Sequence, residues 1–131
     1  MTAPVVVDSD LVIDFLQGRG PGVALVRELL AAGRLRLTAV TAFELRVGAD
    51  FAAREASIAP LFLGRTLPLD AEAALQAGAI WSELRAGGIG IGLADTLQAG
   101  VALRFGLPLA ARNVRHFSRI PGLTLADVSA P

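Results

Sequence analysis

"PVVVDSDLVIDFLQG", residues Pro4–Gly18, decides the fold. It opens with a β-branched run, the mark of a short buried strand. It turns at the acidic step Asp8-Ser9-Asp10, then continues as an apolar helix that stops near Gly18. Ser9 or Asp10 can cap that helix, which leaves Asp8 at the strand's carboxyl end. The same grammar repeats outward. "RLRLTAV" (34–40), "RTLPLD" (65–70) and "GLPLAA" (106–111) read as further strands, and "TLAD" (124–127) as a last one. Helical spacing runs over Gly22–Gly33, from Ala71 to about Arg85 behind an Asp70 cap, and from about Leu93 to Arg104. "TAFELRVGADFAAREASIAPLFLG" (41–64) reads as one or two helices interrupted near Pro60, and "RNVRHFSRIPGL" (112–123) as a loop or short helix. Strands alternating with helices predict an α/β fold: a central parallel sheet of four or five short strands with helices on both faces. In such open sheets the ligand sits beyond the carboxyl ends of the strands.

The chain of 131 residues has no linker, repeat or low-complexity tract, so one domain over 1–131 is expected. It has no Cys, which excludes disulfides and thiolate metal sites. No apolar run reaches the roughly 18 residues of a membrane span. The start lacks the basic segment of a signal peptide, so a cytoplasmic protein without membrane association is expected. The formal net charge is zero, so no basic excess announces nucleic acid. All 12 basic residues are Arg, which removes mechanisms that need a Lys. Hydrophobic residues reach 53%, enough that some apolar surface should stay exposed and mark a partner site.

Against this apolar background, carboxylates recur at strand ends and helix starts: Asp8, Glu44 in "TAFELRVGA" (41–49), and Asp95 in "GIGIGLADTLQAG" (88–100). Asn113 follows the fourth strand. The topology brings all four to one sheet edge. Carboxylates held close together are costly unless neutralised. A hard divalent cation does this, and Mg²⁺ takes one or two carboxylates plus water and phosphate oxygens. That points to a metal-dependent enzyme acting on phosphate esters.

Each residue also has a plainer reading. Asp8 can be a turn or capping residue. Thr41-Ala-Phe-Glu44 is a capping-box pattern, and the pattern alone favours a structural Glu44. Asp95 can complement a helix dipole. Asp14 reads as a solvated charge, and His116, the one histidine, as a surface loop residue or a general base. Arg112, Arg115 and Arg119 can grip phosphates or simply be solvated. "GIGIG" is no dinucleotide fingerprint, because it lacks the strand-to-helix context.

Taken together and in order, these segments resemble the PIN-domain family, and within it the VapC-type toxins of bacterial toxin–antitoxin pairs. "VVVDSDLVIDFL" is similar to the family's opening strand and first acid, at Asp8. "TAFELRVGA" is similar to its Thr-x-x-Glu-Leu-x-x-Gly motif, at Glu44. "IGLADTLQAG" is similar to its third-acid helix, at Asp95, and "LAARNVRHFSRIPGL" to its closing signature. Asp10, Ala111 and His116 depart from the usual Asn or Ser, Thr and Asp, and Asn113 holds the fourth acidic position.

The resemblance implies an Mg²⁺-dependent ribonuclease, with Mn²⁺ as a substitute. Asp8 and Asp95 would ligate the metal, Glu44 would hold a water and accept its proton, and Asn113 would complete the shell. Arg112 and Arg115 would position the RNA backbone. It further implies a homodimer and a cognate antitoxin laid over the site. Crowded apolar residues at Ile58, Leu61, Phe62 and Leu63 are the expected antitoxin surface, and Trp81 either a self-association anchor or core. The alternatives are a degenerate PIN-like binding module and an Asp-x-Asp phosphatase of the haloacid dehalogenase type. The second wants a Lys that this chain lacks.

Overall fold

The computed structural model describes residues 3–128. Strands β1 (Val5–Val7), β2 (Leu35–Thr38), β3 (Thr66–Leu67) and β4 (Leu109–Ala110) form a parallel sheet in the order β3-β2-β1-β4. Val6 pairs with Arg36 on one side and with Leu109 on the other. Parallel neighbours need crossovers. Helices α1 (Ser9–Gln17) and α2 (Gly22–Ala31) link β1 to β2. Helices α3 (Ala39–Val47) and α4 (Phe51–Phe62) link β2 to β3. Helices α5 (Ala71–Ala86) and α6 (Leu93–Arg104) link β3 to β4, and α7 (Val114–Phe117) follows β4.

The alternation of β1 divides the core. Val5 and Val7 pack with Leu11, Val12, Val26 and Leu29 from α1 and α2. Val6 packs with Ile80, Leu84, Ala99 and Phe117 on the opposite face. Successive strand side chains point to opposite faces, so helices on both sides are required. The expected fifth strand shrinks to one isolated parallel bridge, Leu125 to Leu109. Among the described residues, no helix is long and apolar enough to cross a membrane.

Residues 41–64 differ from the sequence reading in two respects. The break in residues 41–64 falls between Val47 and Phe51, not near Pro60. Pro60 lies in the last turn of α4, where the Arg65 guanidinium bonds the carbonyls of Pro60 (3.3 Å) and Leu61 (2.8 Å) and secures the helix end. Ile58 and Leu61 are buried in the core and Phe62 packs against it; only Leu63 stands out, 81% exposed. The stretch expected to receive an antitoxin is therefore core. It folds inward because Ile58, Leu61 and Phe62 share one face at helical spacing.

The carboxyl edge is held firmly. Asp70 caps α5 by accepting from the Ala73 N–H at 2.8 Å, and the same carboxylate takes Arg104 of α6 at 3.1 Å. At Gly100 a Cβ would lie 2.6 Å from the Ala73 carbonyl oxygen, so only glycine lets α6 approach α5 this closely. The chain builds β2 and β3 on one side of β1 and returns to place β4 on the other. That switch point opens a crevice between the ends of β1 and β4. The Asp8 N–H donates to the Ala110 carbonyl across it at 2.9 Å.

Candidate active site

Asp8 leaves β1 at this switch point. It occupies the N-cap position of α1, yet its side chain makes no capping bond, and neither Ser9 nor Asp10 caps the helix. The residue is only 5% exposed. Its Oδ1 accepts from Gln98 Nε2 at 3.1 Å. Burial pushes the carboxyl up to about 6; the Gln98 bond works against this, and the charge of Asp95 adds to it. A buried position thus holds an acid that resists ionising alone.

Glu44 is not part of a capping box. Helix α3 begins three residues earlier than the pattern suggests, and Thr38 is its cap, accepting from the Thr41 N–H at 3.1 Å. Thr41 is consequently turned inward and fully buried. Glu44, one helical step further on the same face, accepts from Ser9 Oγ at 2.5 Å. Ser9 Oγ also meets Thr41 Oγ1 at 2.9 Å, and Thr41 Oγ1 takes an N–H from Gln98 Nε2 at 2.9 Å. The Thr38 hydroxyl donates to Gln98 Oε1. Four residues from α1, β2, α3 and α6 therefore join Asp8 to Glu44 through side chains alone: Gln98, Thr41 and Ser9, with Thr38 holding the amide.

The other side of the cleft is open. Asp95 lies in the first turn of α6, its side chain 29% exposed. Its Oδ2 lies 3.0 Å from His116 Nδ1. Asn113 is exposed, and its Nδ2 lies 3.2 Å from the same nitrogen. As an N–H that nitrogen donates to Asp95; with its lone pair it accepts from Asn113. Asn113 thus joins the site by way of His116, a residue the sequence reading left as either a surface loop residue or a general base.

Asp14, read from sequence as a solvated charge, is buried instead. It accepts from the Gly22 N–H at 3.1 Å and pairs with the Arg112 guanidinium. It lies inside because α2 turns back tightly on α1; a Cβ on Gly22 would sit 2.0 Å from the Leu11 carbonyl oxygen. Arg112 is therefore engaged by Asp14 and by the Asp10 carbonyl at 3.4 Å. Arg115 and Arg119 are exposed, and among the described residues neither enters an ion pair.

The sequence reading passed over Gln98, Thr41 as a buried residue, and the hydroxyl role of Ser9. A signal was present. Thr41 stands three residues before Glu44 and Gln98 three after Asp95, so each shares a helix face with an acid.

The donor set suits a hard cation. Asp8 and Asp95 offer carboxylate oxygens on two sides of one cleft, and the charge of Asp95 already bears on Asp8. Among the described residues, no three His, Asp or Glu side chains converge closely enough to hold a metal by themselves. Mg²⁺ commonly uses only one or two carboxylates, so the pair meets its needs.

Comparison with known proteins gives a consistent result. A family profile described as PIN domain matches residues 5–123. The tRNA(fMet)-specific endonuclease VapC of Salmonella typhimurium is 33% identical over 103 residues, which cover 75% of this chain and 78% of that protein. The protein of the same name from Shigella flexneri is 35% identical over 113 residues, 81% of this chain and 86% of its own. Among solved structures, DNA-bound VapBC from Salmonella typhimurium superposes with a TM-score of 0.80 at 28% identity, over 96% of this chain and 98% of that one.

Proposed function

This chain belongs to the PIN-domain family, among its VapC-type members, and on that footing we propose that it is a divalent-metal-dependent RNA endonuclease, the toxin of a toxin–antitoxin pair. The carrying observation is the buried chain of side chains that joins Asp8 to Glu44 beside Asp95. The whole of 1–131 acts as one domain, and the phosphatase reading is set aside with the family.

Asp8 and Asp95 would hold Mg²⁺ or Mn²⁺. When bound, such an ion stabilises charge on the scissile phosphate and makes water a better nucleophile. The remaining work falls to this chain. Glu44, oriented by the Ser9 hydroxyl, accepts the proton of the attacking water. The water oxygen bonds to phosphorus, the bond to the 3′-oxygen breaks, that oxygen takes a proton from solvent at the open side, and the products carry 5′-phosphate and 3′-hydroxyl ends. Asn113 and His116 line the open side and set the position of Asp95. Arg115 meets the backbone phosphates, with Arg112 behind it anchored on Asp14; such contacts position RNA without reading sequence.

The relatives' names make transfer RNA the first substrate to test. Purified protein with Mn²⁺ should cleave it, and EDTA, Glu44→Gln or Asp95→Asn should each stop cleavage in a folded protein. Undiminished cleavage in excess EDTA defeats the proposal.

The antitoxin surface is proposed at a cavity of about 210 Å³ between α1, α3 and α4, lined by Ile13, Leu16, Leu45 and Phe51 with Glu44 at its rim. An apolar helix laid there would reach the catalytic acids. Self-association is proposed through α5, which carries exposed Leu75 and half-buried Trp81.

A further inference from the structure

Hydrogen counting gives the buried network a single direction. The Ser9 hydroxyl has one hydrogen and spends it on Glu44. The hydrogen between Ser9 and Thr41 must therefore come from Thr41. With its hydrogen spent, Thr41 Oγ1 can only accept, and it does so from Gln98 Nε2. The second hydrogen of that amide goes to Asp8 Oδ1. The Thr38 hydroxyl, which accepts from the Thr41 N–H, donates to Gln98 Oε1 and so prevents the amide from flipping. A flipped amide would also aim its oxygen at the Asp8 carboxylate. Gln98 is thus the source of two donor paths, one ending on Asp8 and one on Glu44. It is only 1% exposed, so water cannot replace it.

We infer that Gln98 is a positioning residue that fixes Asp8 for the cation directly and orients Glu44 for proton transfer through Thr41 and Ser9. It touches neither the cation nor the RNA. The inference rests on the metal-dependent reading above. Its consequence is a division of labour that a merely structural glutamine would not produce. Cutting the first path should weaken metal binding. Cutting the second beyond Thr41 should leave metal binding alone and slow turnover. Partners of metal-ligating groups commonly matter by about 10–100-fold in affinity or activity.

The full chain can be tested with Mn²⁺ by titration calorimetry, alongside single-turnover cleavage of RNA and circular dichroism of each variant. Gln98→Met keeps the volume and removes both donors. It should bind Mn²⁺ at least about tenfold more weakly than the native chain. Ser9→Ala removes only the last link, to Glu44. It should bind Mn²⁺ within twofold of the native chain while cleavage falls at least about tenfold. Native Mn²⁺ affinity in folded Gln98→Met overturns the inference and leaves the nuclease reading intact. If Gln98→Met does not fold, Ser9→Ala decides: native cleavage, or a matching loss of Mn²⁺ affinity, overturns the directed chain. A native protein that neither binds Mn²⁺ nor cleaves RNA defeats the nuclease reading itself, and this inference with it.

Discussion

The two walls of the cleft are built on different principles. Toward α1 and α3, Asp8 is 5% exposed and Thr41, Gln98 and Ser9 are buried around it, every donor aimed at an acceptor. Toward α7, Asp95 and His116 are 29% and 45% exposed, Asn113 lies outside them, and one imidazole nitrogen faces two neighbours. The first wall is preorganised in a low-dielectric interior, where hydrogen bonds are strong and mistakes are costly. The second is wet, adaptable and open to a substrate. On the proposed reading, a site that holds a cation and also admits a long polymer would use one of each.

The largest effect should come from breaking the buried wall at its centre. Asp8→Asn keeps the shape and an oxygen for the Gln98 N–H. Cleavage should drop by roughly a thousandfold, about 4 kcal/mol of transition-state stabilisation. The metal-free fold should nevertheless become more stable at neutral pH, because the substitution removes a buried charge. A parallel loss of melting temperature and activity would show that Asp8 is structural.

The pH dependence sharpens the same contrast. Burial raises Asp8 from 3.8 to about 6. Between those values the folded protein keeps a proton that the unfolded chain has released. Stability therefore falls as pH rises through that window, by up to roughly 3 kcal/mol for a shift of about two units. Denaturant titrations of metal-free protein from pH 4 to 7 should show this decline, and Asp8→Asn should flatten it. Saturating Mn²⁺ should restore stability at the upper end, since a ligand of the native state alone stabilises it. A metal-free protein whose stability rises over the window would contradict the buried placement of Asp8.

The same contrast explains what the sequence disclosed. Strand–helix alternation is a local signal, and it yielded β1 to β4, the α5 cap at Asp70 and the bounds of α6. Asp8, Glu44 and Asp95 were visible because charged residues stand out in an apolar chain. Gln98, Thr41 and Ser9 did not, because their meaning lies in bonds spanning 32 to 90 residues. Capping at Thr38 rather than Thr41 was equally hidden: both are threonines, and only the register of β2 against its neighbours decides which ends the strand. Asp14 misled for a related reason. Its burial depends on α2 folding back onto α1 through Gly22, a tertiary event with no local mark.

The smallest effect is expected on the open wall. His116→Gln keeps a side-chain group able to donate toward Asp95 and removes the imidazole. Because the pair is partly solvated, water can take over the lost contact. Cleavage should fall no more than about fivefold, roughly 1 kcal/mol, and stability should change by less than about 0.5 kcal/mol. Initial rates under saturating Mn²⁺, with the melting temperature as control, measure both. A loss beyond a hundredfold in a folded protein would mean that the imidazole moves a proton. The open wall would then be as exacting as the buried one, and the contrast between them would not hold.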